Sequence, residues 1–447
     1  MDRRSGRRIG EFDVVIIGAG AAGLSAAAYL SRHGKSACIL EARERVGGRV
    51  LSLRSPGVPI PLELGAEFIH GQSPSIFERL RLAGDVAVDA AQARRTVRAG
   101  RLQEGDALFE TMKRRLEKVT PPRVDLPFAE FLDKHRRQLP PAVRAFAKTL
   151  VEGFDAADPS RASAVEILKE WAGGSAADAP TFRPQRGYGA LIESLAASFD
   201  PERVSLQLHS PVTEIRWQHG RVDVTATRHG ETVEIRAAQA IVTLPLGVLQ
   251  LPPQARGAVQ FTPGLPRKQV PLSRLAMGPV IKLMLCFSRP FWAEMEDAKH
   301  REIAFFHSQG APFPTFWNTL PVRTAVLTAW SGGPKAMRLA GQSTDDVLQP
   351  AIASLTSLFG KKLNYRKMLE AVHWHDWQSD PFSCGAYSYA NVGGGAARKS
   401  LARPIERTLY FAGEALDDEE SAGVGGALNS GEQAAKQLLR DIASRSR

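Results

Sequence analysis

The strongest constraint on the fold is a glycine-rich turn, GAGAAG, which begins at Gly18 and joins an apolar strand to a helix of small residues. Gly18 permits a tight turn, Gly20 lets the backbone approach a pyrophosphate, and Gly23 allows close packing of helix on strand. The helix N-terminus, at Ala22, offers unpaired N–H groups to phosphate oxygens. The second predicted strand ends in Glu41, where an acid can bond a ribose hydroxyl. These features predict a dinucleotide site.

Length and composition narrow the class of protein. A chain of 447 residues favours two domains, and the net charge of +11 would allow an acidic partner. The basic residues are scattered apart from the cluster at 3–8, so we predict no nucleic-acid partner. Cys38, Cys286 and Cys384 form no disulfide framework or metal spacing, and we predict no metal site. Because no apolar run reaches about 18 residues, we predict a cytoplasmic protein without a membrane span.

A second glycine pair follows the ribose acid. Gly47 and Gly48 allow close backbone approach, and Arg49 can bind a pyrophosphate through two parallel hydrogen bonds. Ala42 and Arg43 would flank the adenosine half of the ligand. A solvated basic turn is the alternative interpretation. The combination of this loop with the first glycine turn favours FAD over NAD.

The next segment, LELGAEFIHG at 62–71, completes a set of motifs. Together with the glycine turn, the acid and R-x-GGR, it resembles the flavin-containing amine oxidases, with Phe68 in their usual tryptophan position. The resemblance implies that His70 lies in the substrate cavity, although a histidine beside a glycine can equally be a satisfied loop residue. It also implies cofactor contacts from Gly65, Ala66 and Glu67.

A single lysine, Lys282, interrupts an otherwise apolar predicted strand at 277–287. Burying an ammonium group is costly unless something needs it. A lysine at a sheet edge, or one that extends its amine to solvent, explains the pattern equally well. The family resemblance implies that Lys282 is joined through a water to flavin N5. There it would stabilise negative charge as oxygen takes electrons from the reduced flavin.

The segment at 375–389 resembles the family pattern W-x-x-DP-x-x-x-G-[SC]-Y. This resemblance implies that Trp377 lies near the isoalloxazine and that Tyr387 forms one wall of an aromatic cage, which attracts an amine through cation–π interaction. Monoamine oxidases carry a flavin-bonded cysteine directly before this tyrosine. Because this chain has Ala386 there, we predict non-covalent FAD. A second cage tyrosine is absent near Gly423, which leaves one wall open.

The last predicted strand ends in Gly413 and Glu414 and leads to a glycine-rich helix start. The resemblance implies that Glu414 bonds the ribityl or phosphate side of the flavin. The helix N-terminus at Gly423 and Val424 would face the pyrimidine end. In relatives the backbone at the position of Val212 contacts adenine.

The predicted fold class is α/β, a Rossmann-like FAD-binding domain of the glutathione-reductase type with an inserted α+β substrate-binding domain. The pattern turns helical from 72 to 185. Acids at 152–158 could meet a cationic substrate tail, although a solvated loop or helix cap explains them better. The predicted boundaries are 10–71, 186–250 and 372–447 for the FAD domain, 72–185 and 251–371 for the substrate domain, and 1–9 for a flexible basic N-terminus.

The resemblance implies hydride transfer from an amine α-carbon to flavin N5, giving an imine, with H₂O₂ formed on reoxidation by O₂. His70 and the open cage favour a polyamine or diamine. The alternatives are a monoamine oxidase, an L-amino-acid oxidase or a related flavin desaturase or porphyrinogen oxidase. A flavoprotein that binds a partner without turnover is an alternative of another class. A histone demethylase is disfavoured, because the chain has no room for that group's extra helical modules. A homodimer is possible.

Overall fold

The structure is a computed structural model that describes residues 7–98, 101–104, 106–172 and 179–444. The strands are β1 Arg7–Ile17, β2 Ala37–Leu40, β3 Ser52–Leu53, β4 Leu62–Glu63, β5 Ile69–His70, β6 Ala87–Asp89, β7 Arg94–Arg98, β8 Arg101–Glu104, β9 Thr181–Pro184, β10 Val204–Gln207, β11 Val212–Gln218, β12 Arg221–Arg228, β13 Glu231–Val242, β14 Gln260–Thr262, β15 Leu275–Gly278, β16 Val280–Phe287, β17 Phe305–His307, β18 Thr315–Asn318, β19 Val326–Gly332, β20 Leu369–His373, β21 Tyr387–Ala390 and β22 Leu409–Phe411. The helices are α1 Ala21–Arg32, α2 Pro74–Leu82, α3 Asp106–Leu116, α4 Phe128–Lys134, α5 Pro141–Gly153, α6 Ala164–Ala172, α7 Gly187–Ala196, α8 Leu246–Leu249, α9 Pro266–Ser273, α10 Phe291–Ala298, α11 Pro334–Met337, α12 Thr344–Phe359, α13 Tyr365–Met368, α14 Ala397–Ala402 and α15 Val424–Ala443, with a 3₁₀ turn at Glu414–Leu416.

The largest sheet has eight strands in the order β10-β2-β1-β13-β12-β11-β14, with β22 paired to β13. Strands β10, β2, β1, β13 and β22 run parallel. Val14 and Ile16 face a core formed with α1 and α15, while Val15 and Ile17 face a second core on the opposite side. Burial on both faces explains the unbroken apolar run of β1. This architecture confirms the predicted α/β fold class.

Helices α1 and α15 lie against each other because small residues face the contact. A Cβ on Gly431 would lie 2.1 Å from the Ala22 carbonyl oxygen. The Ser25 hydroxyl donates to the Leu428 carbonyl oxygen at 2.9 Å. This close approach brings the N-termini of two helices from opposite ends of the chain to one side of the sheet.

A second sheet has seven strands in the order β20-β16-β19-β18-β17-β7-β8. One of its faces packs on α10 and α12 in an aromatic-rich core. Helices α3 to α6 form a separate apolar cluster. The prediction of a helical stretch from 72 to 185 is confirmed for α2 to α6 and wrong for β6 to β9. Strand β7 pairs with β17, Arg94 opposite Phe305, and a pairing over such a separation leaves no local periodicity.

Three further predictions concern the chain ends and boundaries. Residues 1–6 of the predicted flexible N-terminus lie outside the described residues, but Arg7 already pairs with Val233 in β1, so the prediction is wrong from residue 7. Strand β14 joins the large sheet beyond the predicted boundary at 250. The division into two domains stays a prediction.

None of the described helices combines the length and apolar composition needed to cross a bilayer. The cytoplasmic location and the homodimer also stay predictions.

Candidate active site

A cavity of about 1000 Å³ extends from the glycine turn to the face of the seven-stranded sheet. This volume lies at the upper end of the range for small-molecule sites, which suits a dinucleotide together with a substrate. Among the predicted site residues, Gly23 alone lies off the wall. The residues on the wall are Gly18, Gly20, Ala22, Glu41, Ala42, Arg43, Gly48, Arg49, Gly65, Ala66, Glu67, His70, Val212, Lys282, Trp377, Tyr387, Gly413, Glu414, Gly423 and Val424.

The three glycines of the first turn differ in what surrounds them. Gly18 has φ +105°, a conformation that a side chain rarely adopts. A Cβ on Gly20 would meet no atom within 4 Å and would point into open space. A Cβ on Gly23 would lie 1.9 Å from the Gly18 carbonyl oxygen. Gly23 therefore supports the turn from behind, whereas Gly20 leaves room for a ligand.

Two helix N-termini open onto this part of the cavity. Helix α1 begins after Gly20 and α15 after Gly423, and neither cap residue supplies a side-chain hydrogen bond. The first N–H groups of a helix have no acceptor within the helix. Their partial positive charge favours anions. The α1 terminus, the open space at Gly20 and the nearby ribose acid therefore fit the diphosphate of a dinucleotide such as FAD. That the α15 terminus faces the pyrimidine end stays a prediction.

The predicted ribose acid, Glu41, is held by backbone groups. Its carboxylate accepts from the Ala19 N–H at 2.8 Å and the Arg43 N–H at 3.0 Å. The Arg43 guanidinium donates to Asp380 at 2.8 Å. Although burial opposes it, hydrogen bonds from His375 and Arg43 hold the pKa of Asp380 well below its usual range. Arg43 thus connects the ribose acid to the Trp377 segment.

Arg49 and Glu414, predicted independently as cofactor ligands, form an ion pair at 2.9 Å. Arg49 also donates to the Ala386 carbonyl oxygen at 2.8 Å, and Glu414 accepts from the Ser388 hydroxyl at 2.7 Å. The pair joins the second glycine loop to the last strand of the large sheet. Contacts of these residues with a cofactor stay predictions.

Trp377 packs beside Gly65 at the deep end of the cavity. Its indole N–H donates to the Leu64 carbonyl oxygen at 2.9 Å. A Cβ on Gly65 would lie 1.8 Å from the Arg49 carbonyl oxygen and 3.3 Å from the Trp377 ring. This position therefore requires glycine.

Lys282 lies on β16, between β19 and β20, and is only 3% exposed. The alternative of an edge lysine is therefore wrong. Its ammonium lies 2.7 Å from Glu67 Oε2 and 3.1 Å from the Gly65 carbonyl oxygen. It also lies 5.8 Å from the centroid of the Trp317 ring. The lysine is thus buried against an acid and an aromatic face on the cavity wall.

Glu67 carries three partners on its carboxylate. Besides Lys282, Arg183 donates to Oε1 at 2.9 Å and the Trp317 indole at 3.0 Å. Burial raises the pKa of Glu67, but Lys282 and Arg183 outweigh it and hold the pKa below its usual value. Its contact with a cofactor stays a prediction. Arg183 was not predicted, since it belongs to no motif.

Aromatic rings line the cavity near the lysine. The Tyr387 hydroxyl donates to the Phe154 carbonyl oxygen at 2.6 Å. The His70 ring lies edge-on to the Phe154 ring at 5.5 Å. The His70 side chain is exposed to the cavity, where desolvation lowers its pKa, so this imidazole is neutral at neutral pH. Trp330 and Phe305 also lie on the wall.

Two carboxyl groups lie on the wall of the substrate end, from Asp155 and Glu170. Asp155 is 7% exposed, and its Oδ2 has no hydrogen-bond partner among the described residues. Burial, and then the neighbouring Glu170, raise the pKa of Asp155 well above its usual value. The interpretation of 152–158 as a solvated loop or cap is therefore wrong for Asp155. The interpretation as a cap fits Asp158, which is half-buried and whose carboxylate accepts from Ser160.

The fold and this cavity define an enzyme built on a dinucleotide-binding sheet, with a buried lysine and aromatic rings beside the cofactor groove. The chain belongs to the flavin-containing amine oxidoreductases, whose family model matches residues 21–439. Membership confirms the predicted family of flavin-containing amine oxidoreductases and implies a flavin cofactor.

Curated relatives include histone demethylases and polyamine oxidases. The chain is 28% identical over 512 residues to Lysine-specific histone demethylase 1 homolog 3 of Arabidopsis thaliana, covering 96% of this chain and 30% of the relative. It is 28% identical to Lysine-specific histone demethylase 2 of Homo sapiens, with 95% and 53% covered. For Polyamine oxidase 4 of Oryza sativa subsp. japonica the identity is 28%, with 96% and 89% covered. The chain thus spans a third to half of these demethylases.

Solved structures of amine oxidases share the fold. Putrescine oxidase bound to putrescine has a TM-score of 0.79 and 20% identity, covering 96% of this chain and 99% of that one. Cyclohexylamine oxidase from Brevibacterium oxydans IH-35A has a TM-score of 0.78 and 18% identity, covering 97% and 100%. At these identities the comparison concerns the fold alone.

Proposed function

We propose that this enzyme oxidises a diamine or polyamine, using FAD held without a covalent bond. The observation that carries the substrate class is the buried Asp155 carboxyl on the cavity wall, with an oxygen that no described residue satisfies. Buried polar groups in native proteins are nearly always hydrogen-bonded. A second ammonium group of the substrate supplies both the missing donor and a compensating charge.

The residues present suit FAD. The uncapped start of α1 would hold the diphosphate, with Glu41 at the ribose, and the uncapped start of α15 would face the pyrimidine end. Ala386 lies on the wall directly before Tyr387, where covalent relatives carry cysteine. The Cys384 thiol instead points to the Pro381 carbonyl oxygen at 3.6 Å, and burial raises its pKa. These features support non-covalent binding.

When bound, FAD accepts a hydride from the amine α-carbon and is reoxidised by O₂ to give H₂O₂. The protein's own residues position the amine and shape the field around it. Tyr387 is fixed by its hydrogen bond to Phe154, so its ring is a rigid wall for the amine. Neutral His70 adds no charge that would repel the amine. Lys282 would place a positive charge near the position where the reduced flavin reacts with O₂.

Replacing Asp155 with Asn is expected to raise the KM for putrescine and spermidine by about 10- to 100-fold, because a charged hydrogen bond contributes about 1.5–3 kcal/mol. Benzylamine has no second ammonium, so its KM should stay within about twofold. The measurement is initial-rate peroxide formation. Asp158→Asn is the matched control, since this acid lies off the cavity wall and caps a turn. Equal changes for diamine and monoamine would contradict the assignment.

The substrate class is tested by a wider panel with the FAD-loaded enzyme. The panel contains putrescine, spermidine, spermine, benzylamine, tyramine, L-amino acids and a dimethyl-lysine peptide. We expect kcat/KM to be highest for a di- or polyamine. A higher value for an L-amino acid or for the peptide would overturn the proposal. Peroxide with none of these amines would favour the non-catalytic alternative.

The pH dependence should report Asp155. Because its pKa is raised in the folded state, the free enzyme holds a proton that a bound ammonium would displace. The ratio of kcat/KM for putrescine to that for benzylamine should therefore rise with pH from 6 towards 9, and stay flat in Asp155→Asn. By linkage, the raised pKa also means that the substrate-free protein loses stability as pH rises through it. Thermal unfolding over the same pH range measures that loss.

A further inference from the structure

We propose that Glu67 is a positioning residue for flavin reoxidation: its carboxylate holds the Lys282 ammonium on the cavity wall through an ion pair. The inference rests on the proposed role of Lys282 toward FAD and not on the identity of the amine. Nothing in the motif that contains Glu67 requires an acid at this position.

A lysine ammonium has three N–H groups and no acceptor. The Gly65 carbonyl oxygen accepts one of them at 3.1 Å, and Glu67 Oε2 forms an ion pair with the nitrogen at 2.7 Å. Lys282 lies on the cavity wall, so N–H groups remain for a group inside the cavity. The hydrogen bond and the ion pair together fix the position of the nitrogen.

Glu67 is itself held in place by its neighbours. Arg183 and the Trp317 indole hold its other oxygen at 2.9 Å and 3.0 Å. Arg183 in turn donates to the carbonyl oxygens of Leu320 and Asn318 at 2.9 Å and 3.1 Å. Glu67 is only 8% exposed. The acid is thus fixed by a chain of hydrogen bonds that reaches the backbone.

The charge of Glu67 balances the cations around it. The cluster contains two cations, Lys282 and Arg183, and the shared carboxylate of Glu67 lies between them. Removing one partner of a buried ion pair is much more costly than replacing both. Without the carboxylate, the lysine loses its fixed acceptor and faces an uncompensated arginine. The Lys282 ammonium would then turn away from the group that it contacts inside the cavity.

The test is a double-mutant cycle on reoxidation. Bound FAD is reduced with dithionite and mixed with O₂ in a stopped-flow instrument, which makes the result independent of any amine. Glu67→Gln keeps the shape and should slow reoxidation about tenfold, since misplaced groups lose much of their effect. In a Lys282→Met background the same change should matter less than about twofold. Asp85→Asn is the matched control, since this acid is buried off the cavity wall and accepts from the Val86 and Arg186 N–H groups.

A second readout needs no flavin. In the flavin-free protein, the unfolding free energies of Glu67→Gln and Lys282→Met should be non-additive, and those of Asp85→Asn and Lys282→Met additive within about 0.5 kcal/mol. If Glu67→Gln does not fold, Glu67→Asp withdraws the charge by one methylene and should slow reoxidation about threefold. The inference is overturned if the Glu67 variant that folds is reoxidised at the wild-type rate. It is also overturned if Glu67→Gln slows reoxidation equally with and without Lys282. A failed amine panel leaves both readouts unchanged.

Discussion

Replacing Lys282 with Met is expected to slow reoxidation of the reduced flavin by O₂ by about two to three orders of magnitude, the usual effect of removing one preorganised charged or hydrogen-bonding group from a buried site. The ammonium lies on the cavity wall and is held by Glu67 and Gly65. Electron transfer to oxygen develops negative charge, which a fixed cation stabilises without reorganisation. Methionine keeps the apolar volume of β16 and removes only the charge.

The measurement is the second-order rate constant for oxygen, determined after chemical reduction of the enzyme. Flavin reduction by an amine, measured without oxygen, should change much less. Lys268→Met is the matched control: this lysine is also buried, but it donates to the carbonyl oxygens of Ser400, Leu401 and Arg403 away from the cavity. Lys268→Met should lower stability and leave the rate constant for oxygen intact. Undiminished reoxidation in Lys282→Met would remove the assigned role.

Replacing Gly23 with Ala is expected to destabilise the flavin-free protein by about 3 kcal/mol, at the upper end of the usual cost of overpacking. The new Cβ would lie 1.9 Å from the Gly18 carbonyl oxygen and 3.1 Å from the Thr243 hydroxyl. The first contact is with backbone, which cannot rotate away as a flexible side chain can. Thermal unfolding of the flavin-free protein measures the change.

Gly20→Ala, three residues earlier, should behave in the opposite way. Gly20 has φ −77° and ψ −179°, which alanine also adopts, and its Cβ would touch nothing within 4 Å. The flavin-free protein should therefore keep its stability. The methyl group fills the space proposed for the diphosphate, so FAD affinity should fall at least about tenfold, or about 1.4 kcal/mol. Unchanged affinity would show that Gly20 is not where the cofactor approaches.

The parts of the site that sequence could predict are those encoded by local patterns. The glycine turn, the strand before it and the acid that ends the next strand follow from composition and spacing within a short segment. The burial of Lys282 followed from its apolar strand combined with the family resemblance. These predictions rest on patterns within short segments, and the prediction for Lys282 rests also on the family resemblance.

The partners of these residues could not be predicted, because they come from segments far apart. Arg183 on β9 and Trp317 on β18 belong to different sheets and meet at Glu67 only in the folded chain. Asp155 resembles any acid after a helix until its burial is known. The pairing of β7 with β17 joins strands about 200 residues apart, and local periodicity carries no trace of it.

The contact between α1 and α15 has a consequence for synthesis of the enzyme. Ser25 and Leu428, which join the two helices, lie 403 residues apart in the chain. A ribosome that has completed the first helix has therefore built only the diphosphate side of the cofactor groove, and α15 is added about 400 residues later. Domains form as units during translation, N-terminal parts first. Capture of the flavin is consequently a late event, which awaits the translation of α15.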